Sequence, residues 1–251
     1  MTQQEFYQAC TQALEKNGLA VYATAEYLEK FHALTEYMLE ANKKMNITAL
    51  RDEQSAISRH IVDCLLAAKH LPHSFPQGSG KLLDVGSGGG MPALPFAIVR
   101  PDLTITALDA TAKKTAYIAS AAEHLGLTNV NILTGRAEEL GAKAPYRESF
   151  DMVCARAVAE LRILMEWCIP FIKSGGYFLS LKGKNAEVEL KNAQNAIKKL
   201  SCRLELDELC TLLEDEAEDL SSERHNLLFK KTKPTDKTYP RRNAQITKNP
   251  L

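Results

Sequence analysis

The chain of 251 residues has no apolar run approaching the ~18 residues that a membrane span requires, and its opening, Met1-Thr2-Gln3-Gln4-Glu5, does not read as a secretory leader. Membrane insertion is therefore not expected, and a cytoplasmic location is. The 6 cysteines, at positions 10, 64, 154, 168, 202 and 210, include no C-x-x-C pair. This argues against a disulfide framework or a zinc site and leaves buried thiols and no metal as the expectation. Net charge is also lacking: Lys+Arg 31 against Asp+Glu 31 gives a formal +0, so no bulk attraction draws the chain to a polyanion. The balance is uneven, however. Residues 230–251 carry a net charge of +6, and nine acids cluster between Glu205 and Glu223. A nucleic-acid partner would have to be met by local patches.

What is present is a chain of ordinary globular composition, 45% hydrophobic and 25% charged, long enough for one sizeable core and an extension. Three amphipathic helices are predicted first, over 5–16, 26–42 and 53–70; Leu28, Phe31, Leu34 and Met38 mark the apolar face of the second. The stretch 71–80, rich in Pro, Gly and Ser, then marks a join. Beyond it, short apolar runs alternate with helical ones. Strands are expected at 81–85, 104–108, 130–133, 152–155, 177–181, near 202–206, and at 225–230, with helices at 92–99, 112–125, 160–172 and 186–200. That alternation implies βαβ units: an α/β, Rossmann-like fold with a mostly parallel seven-stranded sheet, helices on both faces and an N-terminal helical extension. The expected division is 1–72 for the extension, 80–232 for the core and 233–251 for a basic, extended tail.

The sharpest signal lies at Leu82-Leu83-Asp84-Val85-Gly86-Ser87-Gly88-Gly89-Gly90-Met91-Pro92, where a strand ends in a carboxylate and breaks into glycines. Gly86, Gly88 and Gly90 allow positive φ and close approach of a ligand to the backbone. Pro92 and Pro95 suit the first turn of the following helix, where a missing N–H costs little. Dinucleotide enzymes favour G-x-G-x-x-G/A at such a turn, with a pyrophosphate at the helix N-terminus. Here Met91 fills the sixth position. S-adenosylmethionine (SAM) has no pyrophosphate to cradle, and a SAM loop commonly begins with an acid, as Asp84 supplies. Asp109 ends the second strand, 23 residues past Gly86, near the ~20-residue offset of a ribose-binding acid. The plainer role, a cap on the helix that follows, is compatible with ribose binding. Open sheets bind ligands at the carboxyl ends of their strands, and Asp84, Asp109, Glu138 and Arg156 all fall there.

Asn46-Ile47-Thr48, Arg59-His60-Ile61-Val62-Asp63, the glycine loop, Arg100-Pro101, Leu108-Asp109, Arg136-Ala137-Glu138-Glu139, Ala155-Arg156-Ala157, Leu181-Lys182-Gly183 and Glu223-Arg224-His225, in this order, resemble the small-subunit ribosomal RNA guanine-N7 methyltransferases, also called glucose-inhibited division protein B. The resemblance runs over roughly residues 25 to 251. It departs at Ile47, where the family often has Leu, and at Met91, where it often has Leu or Ile; both are apolar swaps of similar volume. The resemblance implies a class I SAM-dependent fold and methyl transfer to guanine N7 in 16S ribosomal RNA. By position it implies Gly86 and Met91 in the SAM loop, Asp109-Ala110-Thr111 at the ribose and adenine edge, Ala137-Glu138 beside adenine and Arg156 near the reaction centre.

The residues fit such chemistry by what they omit. Guanine N7 carries an in-plane lone pair and no proton, so methylation there needs alignment and no general base. After the 152–155 strand there is no Asn/Asp-Pro-Pro-Tyr/Phe for exocyclic amines and no Pro-Cys nucleophile for pyrimidine C5. Cys154 reads as a core thiol. Arg156 stands in their place, able to fork to guanine O6, a phosphate or the SAM carboxylate, or to form a structural ion pair. The candidate cofactor set is Asp84, Gly86, Gly88, Gly90, Met91, Asp109, Ala110, Thr111, Ala137, Glu138 and Arg156, with Arg156 also the candidate catalytic residue. Candidates for the substrate are Asn46, Arg59, His60, Lys182, Tyr239, Arg241 and Arg242. Against these stand plainer readings: a helix-start acid for Glu138, an i,i+4 bridge between Arg59 and Asp63, a semi-buried His60 and a solvated Lys182. The tail, with Tyr239 among its basic residues, is expected to be extended and to contact phosphates, with disorder as the alternative. Deleting 233–251 should then spare SAM affinity. The expected partner is small-subunit ribosomal RNA or its particle, and the protein is expected to be monomeric. The rivals are a methyltransferase acting on another RNA, a small molecule or a protein, an NAD-dependent oxidoreductase, and a SAM-binding RNA module without turnover.

Overall fold

Each of the first three helices opens on a side chain that takes up an orphaned N–H. Thr2 and Glu5 cap Gln3–Lys16 reciprocally, Thr24 accepts from the Tyr27 amide at the start of Ala25–Asn42, and Asp52 accepts from the Ser55 amide at the start of the third helix. The computed structural model describes residues 1–71, 75, 78–213 and 221–251; the predicted join at 71–80 and five of the nine clustered acids lie wholly or partly outside them. The third helix runs through Glu53–Ala56, Ile57–Val62 and Asp63–Ala68, and its middle stretch widens to i→i−5 bonding, the Asp63 amide reaching the Ser58 carbonyl. Such a local widening recurs at functional sites. Here it shifts the register of Arg59, His60 and Asp63.

Seven strands follow, β1 Gly80–Val85, β2 Leu103–Asp109, β3 Val130–Thr134, β4 Phe150–Arg156, β5 Ile172–Gly183, β6 Cys202–Leu213 and β7 Ser221–Lys231. They form one sheet in the order β3-β2-β1-β4-β5-β7-β6, and only β7 runs against the rest. The α/β expectation holds in strand number, order of appearance and position. Strand order reverses between β1 and β4, the place where an open sheet of this type leaves a crevice.

Alternation along the strands divides the core. Leu82, Met152, Cys154, Leu179 and Leu181 pack with the N-terminal helices and the helices Ala93–Val99 and Ala112–His124. Leu83, Val85, Val153, Ala155 and Phe178 pack on the other face with Leu161–Cys168 and the pair Ala186–Asn192 and Gln194–Lys199. The predicted helix 160–172 is shorter than expected. Pro170 lies in a tight turn, Ile169–Phe171, where its missing N–H cannot extend the α-helix, and β5 begins at Ile172.

The tail corrects the sequence reading. It is folded, with a helix at Asn243–Lys248 and with Thr235, Ile246 and Leu251 buried. Arg147 binds it by donating to the carbonyls of Thr235, Asp236 and Tyr239, and the Tyr239 side chain packs on the second core cluster. Two of the cations counted in residues 230–251 are paired with carboxylates. Lys231 is fully buried, its ammonium held by Glu148 and by the carbonyls of Ile169 and Ile172. Arg241 donates from its backbone and guanidinium to the fully buried Glu166. Composition counted these charges as free, but pairing removes them from the surface.

Candidate active site

The glycine turn after β1 is made by backbone. Gly86, Gly88 and Gly90 sit at φ +76°, +56° and +82°, the region glycine enters without strain. The Gly86 and Ser87 amides donate to the Leu108 carbonyl at 2.8 and 3.0 Å, tying the turn to the end of β2. A Cβ at Gly86 would lie 2.7 Å from Val158 Cγ2, and one at Gly90 2.6 Å from Leu94 Cδ1. Asp109 bridges two loops: Oδ2 accepts from the Gly88 amide at 3.0 Å and Oδ1 from the Thr111 amide at 2.8 Å. The residue capping the next helix is Thr111, not Asp109, although Asp109 satisfies its N–H.

These loops line a cavity of about 300 Å³ with Gly86, Asp109, Ala110, Thr111, Ala137 and Glu138 on its walls. Trp167, Asn243 and Thr247, none of which the sequence reading named, complete it. The cavity has the features SAM calls for: a wall without side chain at Gly86, a carboxylate at Asp109 and flat apolar sides at Ala110, Ala137 and Trp167. Asp84 and Met91 act from beneath. Asp84 is fully buried, accepts from the Ala93 amide at 3.3 Å and lies 3.8 Å from Cys154 Sγ; burial pushes its carboxyl up to about 6. The Met91 side chain belongs to the core. These two, like Gly88 and Gly90, shape the turn and do not line the cavity. Cys154 is a core thiol, raised far above its ordinary value by desolvation.

The N-terminal extension roofs the turn. The Asn42 amide, buried, donates to the carbonyls of Thr48 and Leu50 and accepts from the amides of Ile47 and Thr48, so one side chain folds the whole loop after the second helix. Ile47 then lies on the glycines: a Cβ at Gly89 would come within 2.9 Å of its Cγ2. Asn46 is exposed in a cleft beside Lys44, Lys113 and Lys114.

A second cavity, about 470 Å³, opens at the ends of β4 and β5 and shares Val158 with the first. Ala157, between Arg156 and Val158, is held at φ +55°, a strained turn for a residue with a Cβ, costing on the order of 1 kcal/mol and placing Val158 at both rims. Arg156 Nη1 donates to Asp63 Oδ2 at 2.8 Å and to the Arg59 carbonyl at 2.9 Å. Arg224 Nε donates to Asp63 Oδ1 at 2.6 Å. The expected Arg59–Asp63 bridge thus gives way to one carboxylate shared by two arginines brought from β4 and β7. His60 Nδ1 lies 3.2 Å from Arg156 Nη2, and its Nε2 2.8 Å from Thr48 Oγ1. Burial, with Arg156 beside it, pushes the imidazole down to about 4, so at neutral pH it is uncharged. Arg59 itself is exposed.

Lys182 is neither solvated nor available to a phosphate. It is buried, and its Nζ donates to the Ala159 carbonyl at 2.5 Å and forms an ion pair with Glu189 Oε2 at 2.7 Å. Tyr239 and Arg241 are likewise committed to the core and to Glu166, whereas Arg242 remains exposed at the start of the last helix. Among the described residues no group of three His, Cys, Asp or Glu could hold a metal, and no helix is long and apolar enough to cross a membrane.

Strand order, glycine turn and acid at the end of β2 together define a class I SAM-dependent methyltransferase fold. Solved structures agree on the fold: a SAM-dependent methyltransferase from Methanococcus maripaludis superposes with a TM-score of 0.53 at 15% identity, covering 80% of this chain and 96% of that one. M. jannaschii TYW2 in complex with AdoMet reaches 0.50 at 14% identity, covering 67% and 76%. The family model "GidB: rRNA small subunit methyltransferase G" matches residues 27–214. Proteins named Ribosomal RNA small subunit methyltransferase G are 37% identical in Lactobacillus acidophilus, over 89% of this chain and 90% of that protein, and 36% identical in Brevibacillus brevis, over the full length of both. The chain belongs to the rRNA small subunit methyltransferase G family. It is a methyltransferase, and its cofactor is SAM.

Proposed function

We propose that the protein methylates N7 of a guanine in small-subunit ribosomal RNA, acting as a monomer in the cytoplasm. Bound in the smaller cavity, SAM supplies an electrophilic methyl carbon on a sulfonium. Asp109 offers its remaining lone pairs to the ribose hydroxyls. The Ala137–Glu138 turn and Trp167 flank the adenine. The adjoining larger cavity receives the base, with Arg156 and Arg224 on one wall.

The observation that carries this reading is the pairing of cationic donors with the want of a free base beside them. Of the groups beside those donors that could accept a proton, Asp63 is bound by two arginines and His60 has both ring nitrogens in hydrogen bonds, while the carboxylate of Glu189 stands on the opposite wall, held through one oxygen by Lys182 and the Leu161 amide. Such a cavity suits an acceptor that already bears a free lone pair, and its arginines suit the O6 oxygen beside guanine N7. Catalysis then rests on alignment of the two cavities at Val158. The folded tail forms part of the cofactor wall through Asn243 and Thr247, so its loss should weaken SAM binding, the reverse of the expectation drawn from composition.

The test is methyl incorporation from labelled SAM into small-subunit and large-subunit particles purified from cells lacking the enzyme. Incorporation confined to the small subunit is expected. Equal labelling of both, or of neither while SAM binds, would remove the ribosomal substrate.

A further inference from the structure

The larger cavity has walls of opposite character, and the sheet separates them. Along β4, Met152 and Cys154 face the N-terminal helices, and Arg156 follows them in the same alternation. Asp63 and Arg224 join it there. Along β5, Phe178 faces the opposite layer, and Lys182, two pleats further on, follows it to meet Glu189 of the helix Ala186–Asn192. Arginines therefore stand on one wall and a carboxylate on the other, both lining the same cavity.

Glu189 is held in place by only one of its oxygens. Oε2 forms an ion pair with Lys182 Nζ at 2.7 Å and accepts from the Leu161 amide at 2.7 Å, which fixes the side chain. Among the described residues no protein donor reaches Oε1, and that atom is not enclosed by protein. A buried lysine spent on orienting a carboxylate is a poor source of stability, because desolvation offsets most of the attraction. What it gives is an acceptor fixed at the rim of an otherwise open cavity.

Guanine has a matching asymmetry. Its Hoogsteen edge presents two acceptors, N7 and O6, while its Watson–Crick edge presents the donors N1–H and N2–H₂ next to O6. Adenine places an acceptor, N1, where guanine has a donor. We propose that Glu189, oriented by Lys182, recognises the N1–H and N2–H₂ edge of the target guanine, making it the residue that admits guanine and rejects adenine. With that edge on Glu189, the opposite edge of the base is turned toward Arg156, Arg224 and the cofactor cavity. The inference rests on the base-binding reading above. It adds that specificity comes from a carboxylate on the wall facing the arginines.

Two measurements test it on the full chain, once the wild type has located its target guanine. In the first, small-subunit particles are reconstituted with inosine at that position, which keeps N7, O6 and N1–H and lacks the N2 amine. Wild-type kcat/KM should fall roughly tenfold, the loss of one hydrogen bond to a charged acceptor. In the second, Glu189→Gln, which replaces the outward acceptor by an amide, should lose about a hundredfold or more in kcat/KM on guanine while the Kd for SAM changes less than threefold, since sites built to hydrogen-bond a substrate reject poor partners strongly. The variant should also lose the guanine-over-inosine preference. Equal wild-type rates on guanine and inosine would overturn the proposal, as would a Glu189→Gln enzyme that keeps both its rate and its preference. If Glu189→Gln proves unstable, the inosine comparison on the wild type decides alone. A wild type that forms no 7-methylguanosine would fell the base-binding reading itself, whereas product formation without dependence on Glu189 or the N2 amine would fell only this inference.

Discussion

The two cavities of the crevice are built by opposite means. The cavity proposed for the cofactor is formed mainly by consecutive residues in the loops after β1, β2 and β3, and its key contacts use backbone amides: those of Gly86 and Ser87 on the Leu108 carbonyl, and those of Gly88 and Thr111 on the Asp109 carboxylate. The cavity proposed for the base is formed by side chains from segments far apart in sequence, Asp63 from the third helix, Arg156 from β4, Lys182 and Glu189 around β5 and Arg224 from β7. A site made largely of backbone tolerates most single side-chain changes. A site held by shared charges does not, because removing one partner strands the others.

That contrast predicts unequal penalties. Asp63→Ala should be the most damaging single change, leaving two arginines facing each other without their carboxylate, one of them 16% and the other 25% exposed at the side chain. A loss of about 3 kcal/mol or more in denaturant unfolding is expected, together with loss of methylation. A loss below about 1 kcal/mol would show that the network is not structural. His60 sharpens the comparison through pH. Its folded value near 4 lies below the ordinary 6.5, so the stability it contributes is fully present above 6.5 and is lost as pH falls through 4. His60→Gln should therefore be relatively more stable than wild type near pH 4, by about 2 kcal/mol once solvent screening of the partly exposed ring is allowed for. Between pH 4 and pH 7 the kcat/KM profile should contain no acid limb that His60→Gln abolishes, and such a limb would make His60 a base.

Arg241→Ala tests the folded tail. It leaves the buried Glu166 with a single backbone donor, at a cost of about 2 kcal/mol, and should raise the Kd for SAM several-fold by loosening Asn243 and Thr247. Unchanged SAM affinity would detach the tail from the cofactor cavity. The smallest effect belongs to the cofactor half: Asp109→Ala should raise the Kd for SAM by about tenfold, or ~1.4 kcal/mol, measured by calorimetry.

The same contrast explains what could be read from the sequence. Apolar spacing reveals strands and helices because burial selects it locally, and the glycine turn is legible because positive φ at Gly86, Gly88 and Gly90, with a close neighbour at Gly86 and Gly90, demands the residue that lacks a Cβ. Asp109 was legible by its offset from that turn. Glu189, Asn42 and Asn243 were not. Each is an ordinary polar residue on a helix until tertiary contacts bring it to Lys182, to the loop 46–50 or to the cofactor cavity. Arg241 and Lys231 misled because composition counts charges and cannot see that Glu166 and Glu148 neutralise them. Asp63 was paired with the wrong arginine because the widened turn at Ile57–Val62 is invisible to an i,i+4 rule.

Transfer to N7 without proton removal is most directly tested by position. Small-subunit particles methylated with labelled SAM are treated with borohydride and aniline, which break the chain at 7-methylguanosine, and the label is mapped. The account predicts a single cleavage at a guanine in the small-subunit RNA that coincides with the label. Label resistant to that treatment, or carried on another base, would contradict it.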